Sequence, residues 1–140
     1  AYDWLAEFAA KKLRDDALAL VQCGVGDLPD RVRRLSRHLT YRWTLSIVYE
    51  SSRSTRPYAG MVPNWRPVIV MVKGKMKGVT PVSDVMTVAH AKKTHHPWQQ
   101  PAWPWYKWLS AWTRPGDLIA DPFAGSGSVG VAVRAIGGRT

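Results

Sequence analysis

The segment Asp121-Pro122-Phe123-Ala124-Gly125-Ser126-Gly127-Ser128 constrains this chain more than any other. It is entered from the apolar run Leu118-Ile119-Ala120 and followed by Val129-Gly130-Val131-Ala132-Val133. A short apolar strand, a tight glycine turn and a helix in that order form the arrangement that receives a nucleotide-like ligand. Gly125 and Gly127 carry no Cβ, so the backbone there is free to take positive φ and to approach a ligand closely. The helix that follows presents unpaired N–H groups at its start.

The rest of the chain supplies α/β elements around this turn. Trp4, Leu5, Phe8, Ala9 and Leu13 fall near one face of a helix from about Tyr2 to Leu13, which Asp15-Asp16 breaks. Ala17 to Cys23 is a continuous apolar run, the pattern of a strand buried on both faces of a parallel sheet. Asp27 stands where it would cap a helix over about Leu28 to His38, with Val32 and Leu35 inward and Arg31, Arg33, Arg34 and Arg37 outward. A helix after a strand implies a crossover unit. Tyr41 to Tyr49 and Pro67 to Lys73 read as further strands. Between them residues 50–66 form a breaker-rich loop, and residues 74–96 form a second one with a short apolar piece at Val85 to Val88. Pro101 and Pro104 open a helix to about Trp112, in which Trp105, Trp108 and Trp112 recur at helical spacing and are expected in the core, while Trp98 and Trp103 flank it as alternative stacking platforms. Leu118 to Asp121 is expected to be a central strand despite coming last.

At 140 residues the chain is one domain in length. No apolar run approaches the roughly 20 residues needed to span a bilayer, and the acidic N-terminus is unlike a signal peptide, so a cytoplasmic protein without a membrane partner is expected. The single cysteine, Cys23, excludes an internal disulfide and a multi-cysteine metal site, and its apolar surroundings suit a buried thiol. His90, His95 and His96 lack carboxylate or cysteine partners at ligand spacing, so no metal is expected. The net charge of +10 is unevenly placed: residues 1–30 carry 3 basic and 6 acidic side chains, residues 31–114 carry 15 against Glu50 and Asp84, and residues 115–140 balance. A middle that basic attracts a polyanion, nucleic acid first.

The glycine pattern alone also satisfies the dinucleotide fingerprint G-x-G-x-x-G, although Asp-Pro-Phe intervenes between strand and glycines, and no Lys-Ser or Lys-Thr is present to make an ATPase-type phosphate loop. The wider context is more specific. His96-Pro97-Trp98-Gln99-Gln100-Pro101, a helix, then Arg114-Pro115-Gly116-Asp117 and the Asp121 loop together resemble the amino-methylating DNA methyltransferases that use S-adenosylmethionine, in the motif order where the catalytic segment comes first. The resemblance is strong over residues 95–139. It is looser upstream, where Trp65 to Lys75 is similar to a late sheet strand and its Lys-Gly-Lys exit.

That resemblance implies a partial Rossmann-like methyltransferase sheet with helices on both faces, in a single incomplete domain over residues 1–140. It implies a cofactor pocket of Asp121, Pro122, Phe123, Gly125, Ser126 and Gly127, with Gln99 and Pro101 at the methionine end. The family's enzymes act on double-stranded DNA, so the loops 50–66 and 74–96 are expected to face it, through Arg53, Arg56, Lys73, Lys75 and Lys77. These enzymes hold the target base with an Asp/Asn/Ser-Pro-Pro-aromatic segment, and the 140 residues contain no Pro-Pro dipeptide. The catalytic segment is therefore expected upstream of Ala1 and the ribose-gripping acid beyond Thr140, and this piece alone is expected to be inactive. Two competitors remain open: an NAD(P)-dependent oxidoreductase on the same glycine pattern, and a non-enzymatic basic DNA-binding module. The sequence does not separate adenine from cytosine as the target.

Overall fold

The computed structural model describes residues 1–50, 57, 59–89 and 100–137. They form two compact units, Ala1–Gly78 with Asp84–Thr87, and Val79–Ser83 with Val88–Thr140.

The first unit contains α1 (Tyr2–Lys12), β1 (Leu18–Gln22), α2 (Leu28–Leu35), β2 (Thr40–Tyr49), β3 (Trp65–Val72) and the start of β4 (Val85–Val88). The sheet order is β1-β3-β2-β4. β3 pairs antiparallel with β1 from Leu18↔Val72 to Gln22↔Val68. It also pairs antiparallel with β2 from Thr40↔Val72 to Val48↔Trp65, with a register shift between Tyr41 and Trp43 that leaves Arg42 as the extra residue of a bulge. β1 and β2 thus run the same way with β3 between them, and α2 is the crossover that joins them.

The crossover expectation therefore holds, but the parallel ladder expected around Ala17 to Cys23 is replaced by antiparallel pairing to β3. The doubly buried strand is β3, where Pro67 to Val72 are all buried, whereas β1 has Val21 alone in that class. Continuous apolar sequence reports burial on two faces, not strand direction, and β1 has a partner on one side only among the described residues. β3 also starts at Trp65, two residues ahead of the expected Pro67.

α1 and α2 cover one face of the sheet. Ala6 and Ala9 of α1 and Leu35 and Leu39 at the end of α2 pack on Val21, Cys23, Ile69 and Met71. Val68, Val70 and Val72, which alternate with these in β3, are as fully buried, so both faces of the central strand are out of water. Of the face expected for α1, Ala9 is buried and Leu5 and Leu13 pack against the same cluster, whereas Trp4 is half exposed and stacks on Phe8 at 5.1 Å along the helix flank. Asp27 does stand at the start of α2, in the left-handed region at φ 59° and without a side-chain cap. Of the four α2-region arginines expected outward, Arg34 and Arg37 hold Asp3 at 2.5 and 2.8 Å, and Arg33 and Arg34 hold Asp30. Arg31 instead turns inward, donating to the Gly24 carbonyl and lying 5.4 Å over the Tyr2 ring. Cys23 is buried as expected, and burial pushes its thiol up.

The second unit contains α3 (Trp103–Trp112) and α4 (Ser128–Ala135). Trp105 and Trp108 meet edge to face at 6.0 Å and are buried. Two rings of the stripe use their polar edges: Trp108 donates its indole N–H to the Ser83 carbonyl at 2.9 Å, and Trp112 donates to that of Thr80 at 3.1 Å. The tryptophan stripe is a core element that also ties down the Val79–Ser83 segment.

Candidate functional site

The Arg114-Pro115-Gly116-Asp117 segment turns the chain toward the glycine loop. Asp117 N–H donates to the Arg114 carbonyl at 3.0 Å, and the Asp117 carboxylate accepts from Arg114 N–H at 2.8 Å. Gly116 sits at φ 91°, the geometry that a type II turn demands after proline.

Leu118 to Asp121 does not form the expected strand among the described residues. Leu118 makes a single bridge and is 79% exposed. A strand exists only through a ladder to a neighbour, and no such ladder accompanies this apolar run among the described residues.

The loop itself is ordered by its own side chains. Asp121 accepts the Phe123 N–H at 3.0 Å, which folds Asp-Pro-Phe into an Asx turn and directs the chain into the glycines. Gly125 and Gly127 lie at φ 52° and 80°. Gly127 N–H donates to the Ala124 carbonyl at 2.7 Å, closing the turn, and Gly127 is the residue from which α4 starts, with no side-chain cap. A Cβ on Gly127 or on Gly130 would meet nothing within 4 Å. Open space above glycines, next to a helix start, is the form of a cradle for a ligand with an anionic end. Pro122, Phe123 and Ser126 are exposed around it, Phe123 at 61%.

Ser128, the first residue of α4, donates its hydroxyl to the Gln100 carbonyl at 2.7 Å, and its oxygen is 3.3 Å from that of Ser126. This bond brings the Gln100-Pro101 segment against the glycine loop, so two stretches that the sequence analysis joined by likeness alone are joined here by a hydrogen bond. Gln99 lies outside the described residues, next to the anchored Gln100. Ser128 was not among the expected site residues. A hydroxyl at the first helical position was the available signal, and its partner is distant in sequence.

A cavity of about 330 Å³ opens elsewhere in this unit, lined by Tyr106, Ser110, Arg114, Asp117, Ile119 and Ile136 among others. No residue from Asp121 to Ser128 lines it. Glycine conformation and an uncapped helix start coincide at the loop instead.

Of the expected DNA-facing residues, Arg53 and Arg56 lie outside the described residues. Lys73, Lys75 and Lys77 follow Val72, at the end of β3 remote from Trp65. There they meet Asp16. Lys73 donates its ammonium to the Leu13 carbonyl at 2.8 Å, Lys75 donates its backbone N–H to the Asp16 carboxylate at 2.8 Å, and the Lys77 ammonium pairs with the same carboxylate at 2.9 Å. The Lys75 N–H bond first, then the Lys77 bond, hold the Asp16 carboxyl below the usual carboxylate range. Gly74 lies at φ 104°, and a Cβ there would sit 2.7 Å from Asp16 Oδ1. The Lys-Gly-Lys exit is thus a latch between β3 and the turn into β1.

Of the histidines, His90, His95 and His96 lie outside the described residues, as does Trp98. Among the described residues no cluster of histidine, cysteine and carboxylate groups is arranged to hold a metal ion, and no helix is long and apolar enough to cross a membrane.

The DNA methylase family profile matches residues 32–139. YubD of Escherichia coli (strain K12), a protein named as a methylase, is 36% identical over 59 residues, 42% of this chain and 26% of YubD, so the matched stretch spans about a quarter of that relative. Among solved structures, the M1.HpyAVI–SAM complex superposes with a TM-score of 0.80 at 21% identity, over 98% of this chain and 72% of that one. The PvuII DNA methyltransferase, which is cytosine-N4-specific, superposes with a TM-score of 0.72 at 17% identity, over 99% of this chain and 64% of that one. At those identities the structures show a shared fold, and it is the methyltransferase fold expected from the sequence. The profile match covers most of the chain, and the chain belongs to the DNA methylase family.

Proposed function

We propose that this member of the DNA methylase family supplies the cofactor-holding part of an enzyme that moves a methyl group from S-adenosylmethionine to an exocyclic amino group of adenine or cytosine in double-stranded DNA, in the cytoplasm. The observation that supports the reading is the Ser128 to Gln100 bond, which holds the Gln100-Pro101 segment beside the start of α4.

The residues fit the cofactor's chemistry. The open space at Gly127 and Gly130 admits a ligand against backbone, and the uncapped start of α4 suits its carboxylate. In this reading Asp121 draws the ammonium and Phe123 covers the adenine, with Gln99 and Pro101 at the methionine end. Pro122, Gly125 and Ser126 shape the turn between them. When bound, S-adenosylmethionine supplies an electrophilic methyl group on a cationic sulfur. Held there by the glycine loop, it would give that methyl group to the base amine, which would shed a proton as the thioether leaves. The protein's work in such a displacement is alignment of the two reactants, together with extrusion of the base from the duplex.

On the DNA side, the proposal assigns Arg53 and Arg56 to the substrate face, because their loop leaves the carboxyl ends of β1 and β2, where α/β sheets bind ligands. Lys73, Lys75 and Lys77 are assigned to the Asp16 latch instead. Titration calorimetry of the Asp121→Ala variant with S-adenosylmethionine tests the pocket: binding is expected to be lost, and unchanged affinity rules the assignment out. NAD(P) binding by the wild-type chain in the same assay would favour the oxidoreductase reading.

A further inference from the structure

The carboxyl end of β1 gathers positive charge that the methyl-transfer reading leaves unused. The strand ends at Gln22, and Cys23 and Gly24 follow. Arg31 reaches back from α2 and donates to the Gly24 carbonyl while its guanidinium lies 5.4 Å over the Tyr2 ring. From the other side comes Arg66, the second residue of β3. Arg31 Nη1 is 3.4 Å and Arg66 Nη1 3.7 Å from the point where a side chain on residue 24 would begin. A Cβ on residue 24 would therefore touch both guanidinium groups, whose Nη1 atoms lie no farther apart than those two distances together. A phosphate held by two N–H···O bonds of about 2.9 Å spans a gap of that size.

Charge and exposure favour an anion there. None of the ion pairs joins Arg31 or Arg66 to a carboxylate among the described residues, although Arg33, Arg34, Arg37 and Lys77 all have one. Asp27 is the carboxylate whose field reaches Arg31. Arg66 acts on both Cys23 and Tyr49, opposing the burial that raises those two groups. Arg66 is exposed, and Arg31 is partly buried and held by two contacts, so one guanidinium is fixed in advance and the other is available from solvent. Planar guanidinium groups bind phosphate oxygens in pairs, which a lysine ammonium does not. The site also lies at the end of the sheet from which the Tyr49–Trp65 connection emerges.

We propose that Arg31 and Arg66 form a two-arginine clamp, across Gly24, for one backbone phosphate of duplex DNA. This rests on the reading of the chain as part of a DNA-methylating enzyme. The clamp fixes where the duplex lies on the sheet end and carries no sequence information itself.

The test is fluorescence anisotropy of the full chain with a labelled DNA duplex across a potassium chloride series. One phosphate contact adds about 0.9 to the slope of log affinity against log salt. The Arg31→Gln/Arg66→Gln double variant is expected to lose about that much, the loss of one shared contact, equally on duplexes of different sequence. Arg66→Lys is expected to keep the slope while weakening binding, and Lys12→Gln, an exposed charge at the end of α1, to match the wild type. Arg66→Gln alone carries the test if loss of the Tyr2 contact unfolds the Arg31 variant, as judged by circular dichroism. Wild-type binding with unchanged slopes in the folded variants overturns the clamp and leaves the methyl-transfer reading standing. No duplex binding by the wild-type chain overturns the DNA reading, and the clamp with it. S-adenosylmethionine affinity, measured separately, is expected to be the same in Arg66→Gln and wild type.

Discussion

The hydroxyl of Ser128, at the start of α4, is bonded to the carbonyl of Gln100 at 2.7 Å, across 28 residues of sequence. It is a single neutral hydrogen bond, yet it sets the separation between the glycine loop and the segment that leads into α3. Ser128→Ala is expected to cost about 1 kcal/mol, the typical net worth of such a bond, and to weaken S-adenosylmethionine binding roughly fivefold. Ser128→Thr keeps the hydroxyl and is expected to restore binding. Calorimetry on the two variants checks this, and equal affinities in both would remove the bond from the argument.

Gly127 gives a cleaner test of backbone conformation. At φ 80° an L side chain is strained by roughly 1–2 kcal/mol, while a Cβ there meets no protein atom within 4 Å. Gly127→Ala is therefore expected to lower stability by that amount without any packing clash. A larger proportionate loss of cofactor affinity than in Gly116→Ala, another positive-φ glycine with open space around it, would show that the space above Gly127 is where the ligand sits. Denaturant midpoints and calorimetry on the two variants separate the terms.

The Gly74–Asp16 latch predicts a coupled pair. A Cβ on Gly74 lies 2.7 Å from Asp16 Oδ1 and φ is 104°, so Gly74→Ala is expected to be clearly destabilising. Removing the obstructing carboxylate with Asp16→Ala should recover part of that loss in the double variant, and a double-mutant cycle by urea denaturation measures the recovery. Strictly additive effects would show that the two residues do not meet.

The same carboxylate sets a pH dependence. Asp16 is held below the ordinary carboxylate range in the folded chain by the Lys75 N–H and then by Lys77, so its contribution is fully present above the unfolded value near ~4 and is lost as pH falls through the folded one. The stability gap between wild type and Asp16→Asn is expected to be constant above about pH 5 and to close in acid. A gap that widened on acidification would contradict the latch.

Trp108 tests the second unit's core. It is fully buried, packs edge-on to Trp105 and donates to the Ser83 carbonyl. Trp108→Phe loses that donor and part of the ring, with an expected cost of about 2–4 kcal/mol read from the denaturant midpoint.

Much of the fold was legible locally. The helices around Trp4 and Leu35, the strands at Tyr41 to Tyr49 and Pro67 to Lys73, the tryptophan stripe and the glycine turn all announce themselves by period or by breakers, because side-chain periodicity and glycine φ are properties of a few consecutive residues. Direction was not legible. The run Ala17 to Cys23 has the composition of a buried parallel strand and pairs antiparallel, since hydrogen-bond partners are chosen by the whole sheet. Leu118 to Asp121 has strand composition and no ladder among the described residues, for the same reason.

The candidate site divides along the same line. By itself the sequence determined the loop, its glycines and its family likeness, because a sharp turn into a helix needs particular residues at fixed spacing. Only the tertiary structure decided what the charges do. Lys73, Lys75 and Lys77 looked like free basic charge, but the turn after β3 brings them to Asp16, which takes up the Lys75 N–H and the Lys77 ammonium. Arg31 looked like one outward charge among several on α2, and it turns inward to Gly24, within reach of Arg66. Charge adds up along a sequence, whereas its effect depends on distances of a few ångströms between residues that the chain brings together only on folding.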